Sequence, residues 1–134
     1  MCEKASLIAF YLPQFHEVKE NSMWWGEGFT DWISVQNAKP CFAGHSQPKI
    51  PYRSDYYNLL EKKVMKRQVH MAQKAGIEGF CFYHYWFNGR KILERPVENY
   101  LNWKDMKQKF CLSWENESWI RTLSNVVGND WNPL

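Results

Sequence analysis

Residues 76–87, Gly-Ile-Glu-Gly-Phe-Cys-Phe-Tyr-His-Tyr-Trp-Phe, leave the chain fewer folding choices than any other stretch. With period two, Ile77, Gly79, Cys81, Tyr83 and Tyr85 share one face, and Phe80, Phe82, His84 and Trp86 share the other. Neither face is plainly polar. A strand apolar on both sides is expected to be covered on both sides, as parallel strands under helices are. Its aromatic end, running into Asn88-Gly89, is where a functional surface is expected.

The rest of the chain supplies the partners such a strand needs. Leu7-Ile-Ala-Phe-Tyr-Leu12 is a short β-prone run stopped by Pro13, predicted to be a first buried strand with Gln14, Phe15 and His16 at its exit. Residues 58–75 read as a helix, with Leu60, Val64, Met71 and Ala75 near the helical period and Gly76 as its stop. A weaker helix is expected from Pro96 to Met106, with Pro96 near its start. Lys109-Phe-Cys-Leu-Ser-Trp114 then reads as a third buried strand. Between the first strand and the first helix, residues 17–57 carry Pro, Gly, Asn and Ser with no sustained periodicity. A connection of that length is uncommon unless it has a function. Residues 120–134 read as loop.

Strand, helix, strand order predicts βαβ units, in which the strand C-termini share one face and ligands bind there. Tyr11, Gln14, His16, Tyr83, Tyr85, Trp86, Asn116, Glu117 and Trp119 are therefore expected to converge. Glu115 and Glu117 would point the same way, with Cα atoms roughly 6.5 to 7 Å apart. Paired carboxylates suggest glycosidase chemistry, but such pairs flank the scissile bond. Two neighbours on one strand end do not, so Glu117 is the single carboxylate expected at the site, in a supporting role.

Composition narrows the ligand. Aromatic residues make up 17 % of the 134 residues, with eight tryptophans, more than packing requires in a chain that is 23 % charged. Any one tryptophan is expected to be ordinary packing, but of Trp24, Trp25, Trp32, Trp86 and Trp119 at least two are expected to line a site. Aromatic faces beside amides and carboxylates suit the C–H faces and hydroxyls of sugars.

Other classes find no support. Net charge is only +3, and Lys62, Lys63, Lys66 and Arg67 read as one solvated helix face, so no nucleic-acid partner is expected. His16, His45, His70 and His84 lack metal-motif spacing, and no metal or cofactor is expected. His45 reads as a loop-fixing hydrogen-bonder. Nucleotide-cradle and serine-hydrolase motifs are lacking. Cys2, Cys41, Cys81 and Cys111 form no CxxC pair and read as free, buried thiols of a reducing compartment. The polar N-terminus and short first apolar run predict neither signal peptide nor membrane span, hence a cytoplasmic protein.

Six ordered blocks and one shorter one carry a family resemblance. They are Ala9-Phe-Tyr-Leu-Pro-Gln-Phe-His16, Trp24-Trp-Gly-Glu-Gly-Phe-Thr-Asp-Trp32, Gly44-His-Ser-Gln-Pro48, the run from Gly76 to Gly89, Leu93-Glu-Arg-Pro96 and Trp114-Glu-Asn-Glu-Ser-Trp119, with Ala38-Lys-Pro40 as the shorter. Over nearly its whole length the chain resembles the N-terminal part of the WbsX family, the glycoside hydrolase family 99-like domains of bacterial polysaccharide biosynthesis loci. The resemblance implies a (β/α)8 barrel of the TIM type acting on glycans, with residues 1–134 forming one incomplete domain, its first three βα units. A full barrel needs about 250 residues.

It also implies a sugar site using Gln14, His16, Trp25, Tyr83, Tyr85, Trp86, Asn116, Glu117 and Trp119. The parent would cleave or transfer glycosyl units, in O-antigen or capsule type metabolism, with glutamates as acid and base. In the family-like pattern those glutamates sit in an Asn-Glu-Trp-x-Glu-Gly type segment, and nothing after Trp119 matches it. Trp25-Gly-Glu-Gly28 mimics part of it, but its neighbours place it in the N-terminal loop, so Glu27 is not a catalyst. Glu115 stands where the resemblance leads one to expect a small residue, and Ser118 where it leads one to expect Asn. A non-catalytic carbohydrate-binding module and an inactive fragment are the alternatives. An open sheet of three strands is expected to self-associate through its edges.

Overall fold

The structure, a computed structural model, describes residues 5–87 and 89–115. Its elements in chain order are β1 (Ile8–Tyr11), α1 (Lys19–Trp25), α2 (Asp31–Asn37), a 3-10 turn (Tyr52–Ser54), α3 (Lys62–Lys74), β2 (Gly79–Phe87), β3 (Arg90–Ile92), α4 (Arg95–Asn102) and β4 (Lys109–Glu115). The three predicted strands are present and parallel, with β2 between β1 and β4. Two features escaped the sequence reading. The connection after β1 contains the short helices α1 and α2, each of seven residues and too brief to show a period. β3 folds back antiparallel on the end of β2, with Phe87 opposite Arg90, and an Asn-Gly pair directly after an apolar strand is itself a hairpin signal. Because Tyr85 is paired with both Ile92 and Glu115, β3 lies on the edge of β2 opposite β4, beyond the end of β1.

Helix α3 stops where glycine was expected to stop it. Gly76 takes φ +75°, its N–H bonds to Gln73 O at 3.1 Å, and Ile77 N–H bonds to Ala72 O at 2.9 Å. That double closure is the Schellman arrangement, which a residue without Cβ adopts most easily. The buried stripe of α3 differs from the expected one: Val64, Met65, Val69 and Ala72 are buried, whereas Met71 is 61 % exposed. The helix turns Met65 and Val69 toward the aromatic rings of β2, which offer more apolar area than a face centred on Met71 would meet.

Among the described residues, helices α3 and α4 both cover the same face of the sheet. Met65, Val69 and Ala72 of α3, Phe80 and Phe82 of β2, and Val97 and Tyr100 of α4 form one buried cluster, with Ala9 and Tyr11 of β1 against it. Strand order β1-β2-β4 advances in one direction, so crossovers of one hand place both helices on the same side. The opposite face, expected to be buried, is largely open among the described residues: Ile8 is 59 % and Phe10 70 % exposed, and Cys111 is exposed, whereas toward the strand ends Tyr85 is buried with Ile92 and Leu93. The expectation of buried cysteines fails for the same reason, since Cys81 is only half-buried and Cys41 lies in an exposed loop.

Local polar links tie the layers together. The Tyr100 hydroxyl donates to Gln108 O at 2.5 Å, and Gln108 Nε2 donates to Ile77 O at 2.6 Å. Gln108, although buried, thereby has both its side-chain amide nitrogen and its backbone carbonyl hydrogen-bonded. The basic side of α3 is a solvated face, with Lys62 and Lys66 paired to Asp105, Lys63 to Glu61 and Arg67 to Asp55. His45 fixes its loop as expected, its Nδ1 accepting the Cys41 N–H at 3.1 Å. No helix among the described residues is long and apolar enough to cross a membrane.

Candidate functional site

The site is built where the open face of the sheet meets the C-terminal ends of its strands. Period two along β2 puts Tyr83, Tyr85 and Phe87 on this face. Their rings step along the strand with centroids 6.3 Å (Tyr83 to Tyr85) and 6.5 Å (Tyr85 to Phe87) apart, and Phe10 of β1 adds a ring 5.6 Å from Tyr83. Tyr85 is the hub. Its hydroxyl accepts a hydrogen bond from Gln14 Nε2 at 3.0 Å, which fastens the segment leaving β1 to the end of β2. Glu115, the last residue of β4, is its register partner. Ile92, Leu93 and Val18 pack around its ring.

Charge at the hub is anionic. Burial pushes the Tyr85 phenol up to about 12, the Gln14 hydrogen bond opposes this, and the fields of Glu115, Tyr83 and Asp31 add to the rise. Asp31, at the start of α2, is half-buried, and burial raises its carboxyl above the usual range against the pull of its own backbone N–H. The sequence reading missed Asp31, because the block holding it drew notice only for its tryptophans and glycines. It set Glu115 aside, because register with Tyr85 is not visible in one strand alone.

The expected convergence holds in part. Gln14, Tyr83 and Tyr85 come together. Tyr11 is on the other face, packed 5.0 Å from Phe80 and 4.7 Å from Phe82, with its hydroxyl bonded to Gln68. Trp86 also points to the helix side, 47 % exposed and 6.0 Å from His84. Period two separates both from Tyr83 and Tyr85, so they cannot share one surface with them. His16 is 0 % exposed, and neither ring nitrogen has a hydrogen-bond partner among the described residues. Burial and the nearby Arg95 guanidinium push its pKa down to about 4, opposed by the Pro13 carbonyl. Trp25 is half-buried and stacks on Phe29 at 5.7 Å. Trp32 is structural, its Nε1 donating to Tyr57 O at 2.8 Å while Phe15 and Tyr57 pack its ring. Asn116, Glu117 and Trp119 lie outside the described residues.

The described residues hold no group of three or more His, Cys, Asp or Glu able to bind a metal. Concavities of about 240 and 530 Å³ open at the other end of the sheet, lined by residues such as Ser6, Ile8, Glu78 and Lys109. They lie away from the aromatic rim. The rim combines flat rings, an amide, phenols and carboxyls, groups that can stack on C–H faces and bond hydroxyls.

Fold and rim together define an α/β protein with a sheet of three parallel strands whose helices α3 and α4 lie on one side and whose strand ends carry a polar, aromatic rim. The chain belongs to the WbsX family: the family model described as "Glycosyltransferase WbsX" matches residues 7–129. Two curated relatives, both called "Uncharacterized protein WxcX", come from Xanthomonas campestris pv. campestris, strains B100 and ATCC 33913. Each is 46 % identical over 117 residues, covering 87 % of this chain and 17 % of the relative. The chain thus spans about a sixth of the length of these relatives. No solved structure matches it.

Proposed function

We propose that the chain forms the first three βα units of a glycan-active barrel and contributes one part of its sugar site. Strand order supports the barrel: β1, β2 and β4 advance in one direction with both helices on one side, as in a barrel wall, whereas a doubly wound sheet reverses at a switch point. In this reading the open face lines the barrel interior, and the parent transfers or cleaves glycosyl units of a bacterial polysaccharide.

The observation that carries the sugar site is the bond from Gln14 to Tyr85 beside Glu115. It holds an amide, a phenol and a carboxylate within one rim, with the rings of Tyr83 and Phe87 alongside as a platform. Glu117 is proposed as the supporting carboxylate, bonding sugar hydroxyls or stabilising positive charge in an oxocarbenium-like transition state. Trp86, on the helix side, is assigned no sugar contact.

The test is binding of oligosaccharide fragments of a bacterial surface polysaccharide, measured by calorimetry on the chain and on its variants. Gln14→Ala and Tyr85→Phe each remove one hydrogen-bonding group and should weaken binding about tenfold, about 1.4 kcal/mol, while Trp86→Ala leaves it unchanged. Equal losses in all three variants, or none in the first two, would refute the assignment. In a catalytically active longer parent, Glu117→Gln should weaken glycan binding and turnover, and unchanged values for both would remove Glu117 from the site.

A further inference from the structure

We propose that the loop of residues 38–54 docks the protein peripherally on an anionic lipid surface. The loop is closed at its base. Trp32 Nε1, before it, donates to Tyr57 O, after it, at 2.8 Å, and the Trp32 ring packs on Phe15 with centroids 4.5 Å apart. Phe15 directly follows Gln14, so the base is fixed at the strand ends, beside the rim. In the barrel reading, a loop at that end projects from the wall of strands rather than forming part of it.

Two properties of the loop identify its partner, and the first is apolar exposure. Phe42 is 67 %, Ile50 69 % and Tyr52 81 % exposed. Local bonding fixes this arrangement: Phe42 O accepts the His45 N–H at 3.1 Å, and the two rings lie flat on each other, 4.6 Å apart at 6°. Arg53 and Ser54 take φ of 59° and 54°, a left-handed backbone that residues with a Cβ enter at a cost. The loop is thus folded with its large apolar groups outward, against the ordinary drive to bury them. The second property is charge. Lys39, Lys49 and Arg53 are exposed, and none has an ion-pair partner among the described residues, whereas Lys62, Lys63, Lys66 and Arg67 of α3 each face a carboxylate. Of the chain's 14 Asp and Glu, none lies between residues 32 and 54. Exposed apolar side chains beside unpaired cations match a bilayer interface, where the acyl boundary takes the former and anionic headgroups attract the latter. A soluble polyanion would meet the cations but leave Phe42 and Ile50 in water.

The test floats the 134-residue chain with vesicles of phosphatidylglycerol and phosphatidylcholine in equal parts, and with vesicles of phosphatidylcholine alone, at low and at physiological salt. Binding is expected on the anionic vesicles, weaker by about tenfold or more on the neutral ones, and weaker as salt is added. Lys39→Ala and Lys49→Ala should each weaken it about fivefold, and Phe42→Ser and Ile50→Ser about tenfold, with melting curves retained because all four side chains are exposed. Met71→Ser removes an apolar side chain of similar exposure on α3, away from the loop, and should leave vesicle binding unchanged. Gln14→Ala should also leave it unchanged, which separates this surface from the sugar site. No binding, equal binding to neutral vesicles, an equal loss in Met71→Ser, or capture by soluble dextran sulfate in place of vesicles would overturn the assignment.

Discussion

Acid should destabilise this protein through His16. The imidazole is wholly buried, without a hydrogen-bond partner among the described residues, beside the Arg95 guanidinium. In the folded chain it resists protonation until about pH 4, while in the unfolded chain it takes up its proton near the ordinary 6.5. Between these values the unfolded state holds more protons, so stability falls as pH falls, and above 6.5 the group contributes no slope. The two affinities set the size: about 2 kcal/mol is lost from pH 7 to pH 5, and about 3 kcal/mol by pH 4. His16→Leu removes the titration and a buried imidazole whose nitrogens find no hydrogen-bond partner among the described residues, so at pH 7 it should be as stable as the parent or more so. Urea unfolding at pH 7, 6 and 5, followed by tryptophan fluorescence, measures both proteins. With a slope of roughly 2 kcal/mol per molar urea, the parent midpoint should drop by about 1 M relative to the variant between pH 7 and pH 5. Groups such as Asp31 titrate in both proteins and cancel in the comparison. A parent-to-variant difference that stays constant to within about 0.5 kcal/mol across this range would refute the buried, cation-flanked His16.

The same unfolding assay separates packing from surface effects. Gly79→Ala would place a Cβ 2.9 Å from the Lys109 carbonyl oxygen, where backbone must move, and should cost about 1–3 kcal/mol by prising β4 from β2. Phe82→Ala, at the centre of the core, should cost about 3–5 kcal/mol. Tyr100→Phe leaves the Gln108 carbonyl without its donor and should cost about 1–2 kcal/mol. Lys62→Ala breaks a half-exposed ion pair with Asp105 and should change stability by less than about 0.5 kcal/mol, vanishing at high salt.

The strands and the main helix were legible because each rests on a local rule. An apolar run ended by Pro13 made β1, and Gly76 ended α3 through its positive φ. The family was legible from ordered blocks of sequence, and the family match spans residues 7–129. The short helices α1 and α2 were not legible, since seven residues hold too few turns to show a period. β3 could have been read from Asn88-Gly89, since Asn-Gly directly after an apolar strand marks a hairpin turn.

The candidate site was legible by strand end but not by face. Gln14 and Tyr85 were placed together by the rule that parallel strands end on one side, and the structure joins them by a hydrogen bond. Tyr11 and Trp86 were placed with them too. The structure sends both to the helix side, because alternation along a strand outweighs nearness to its end.

By itself the sequence determined the parallel strands, the helix between the first two, its stop at Gly76 and the aromatic strand end, because each depends on residues adjacent in the chain. Tertiary structure alone decided which face of the sheet is covered, that Cys81 and Cys111 stand side by side, that His16 is buried beside Arg95, and that Glu115 meets Tyr85. These facts depend on register and on the side the helices take, which are relations between segments far apart in the chain. Composition and periodicity constrain each segment separately and cannot set the pairing between them.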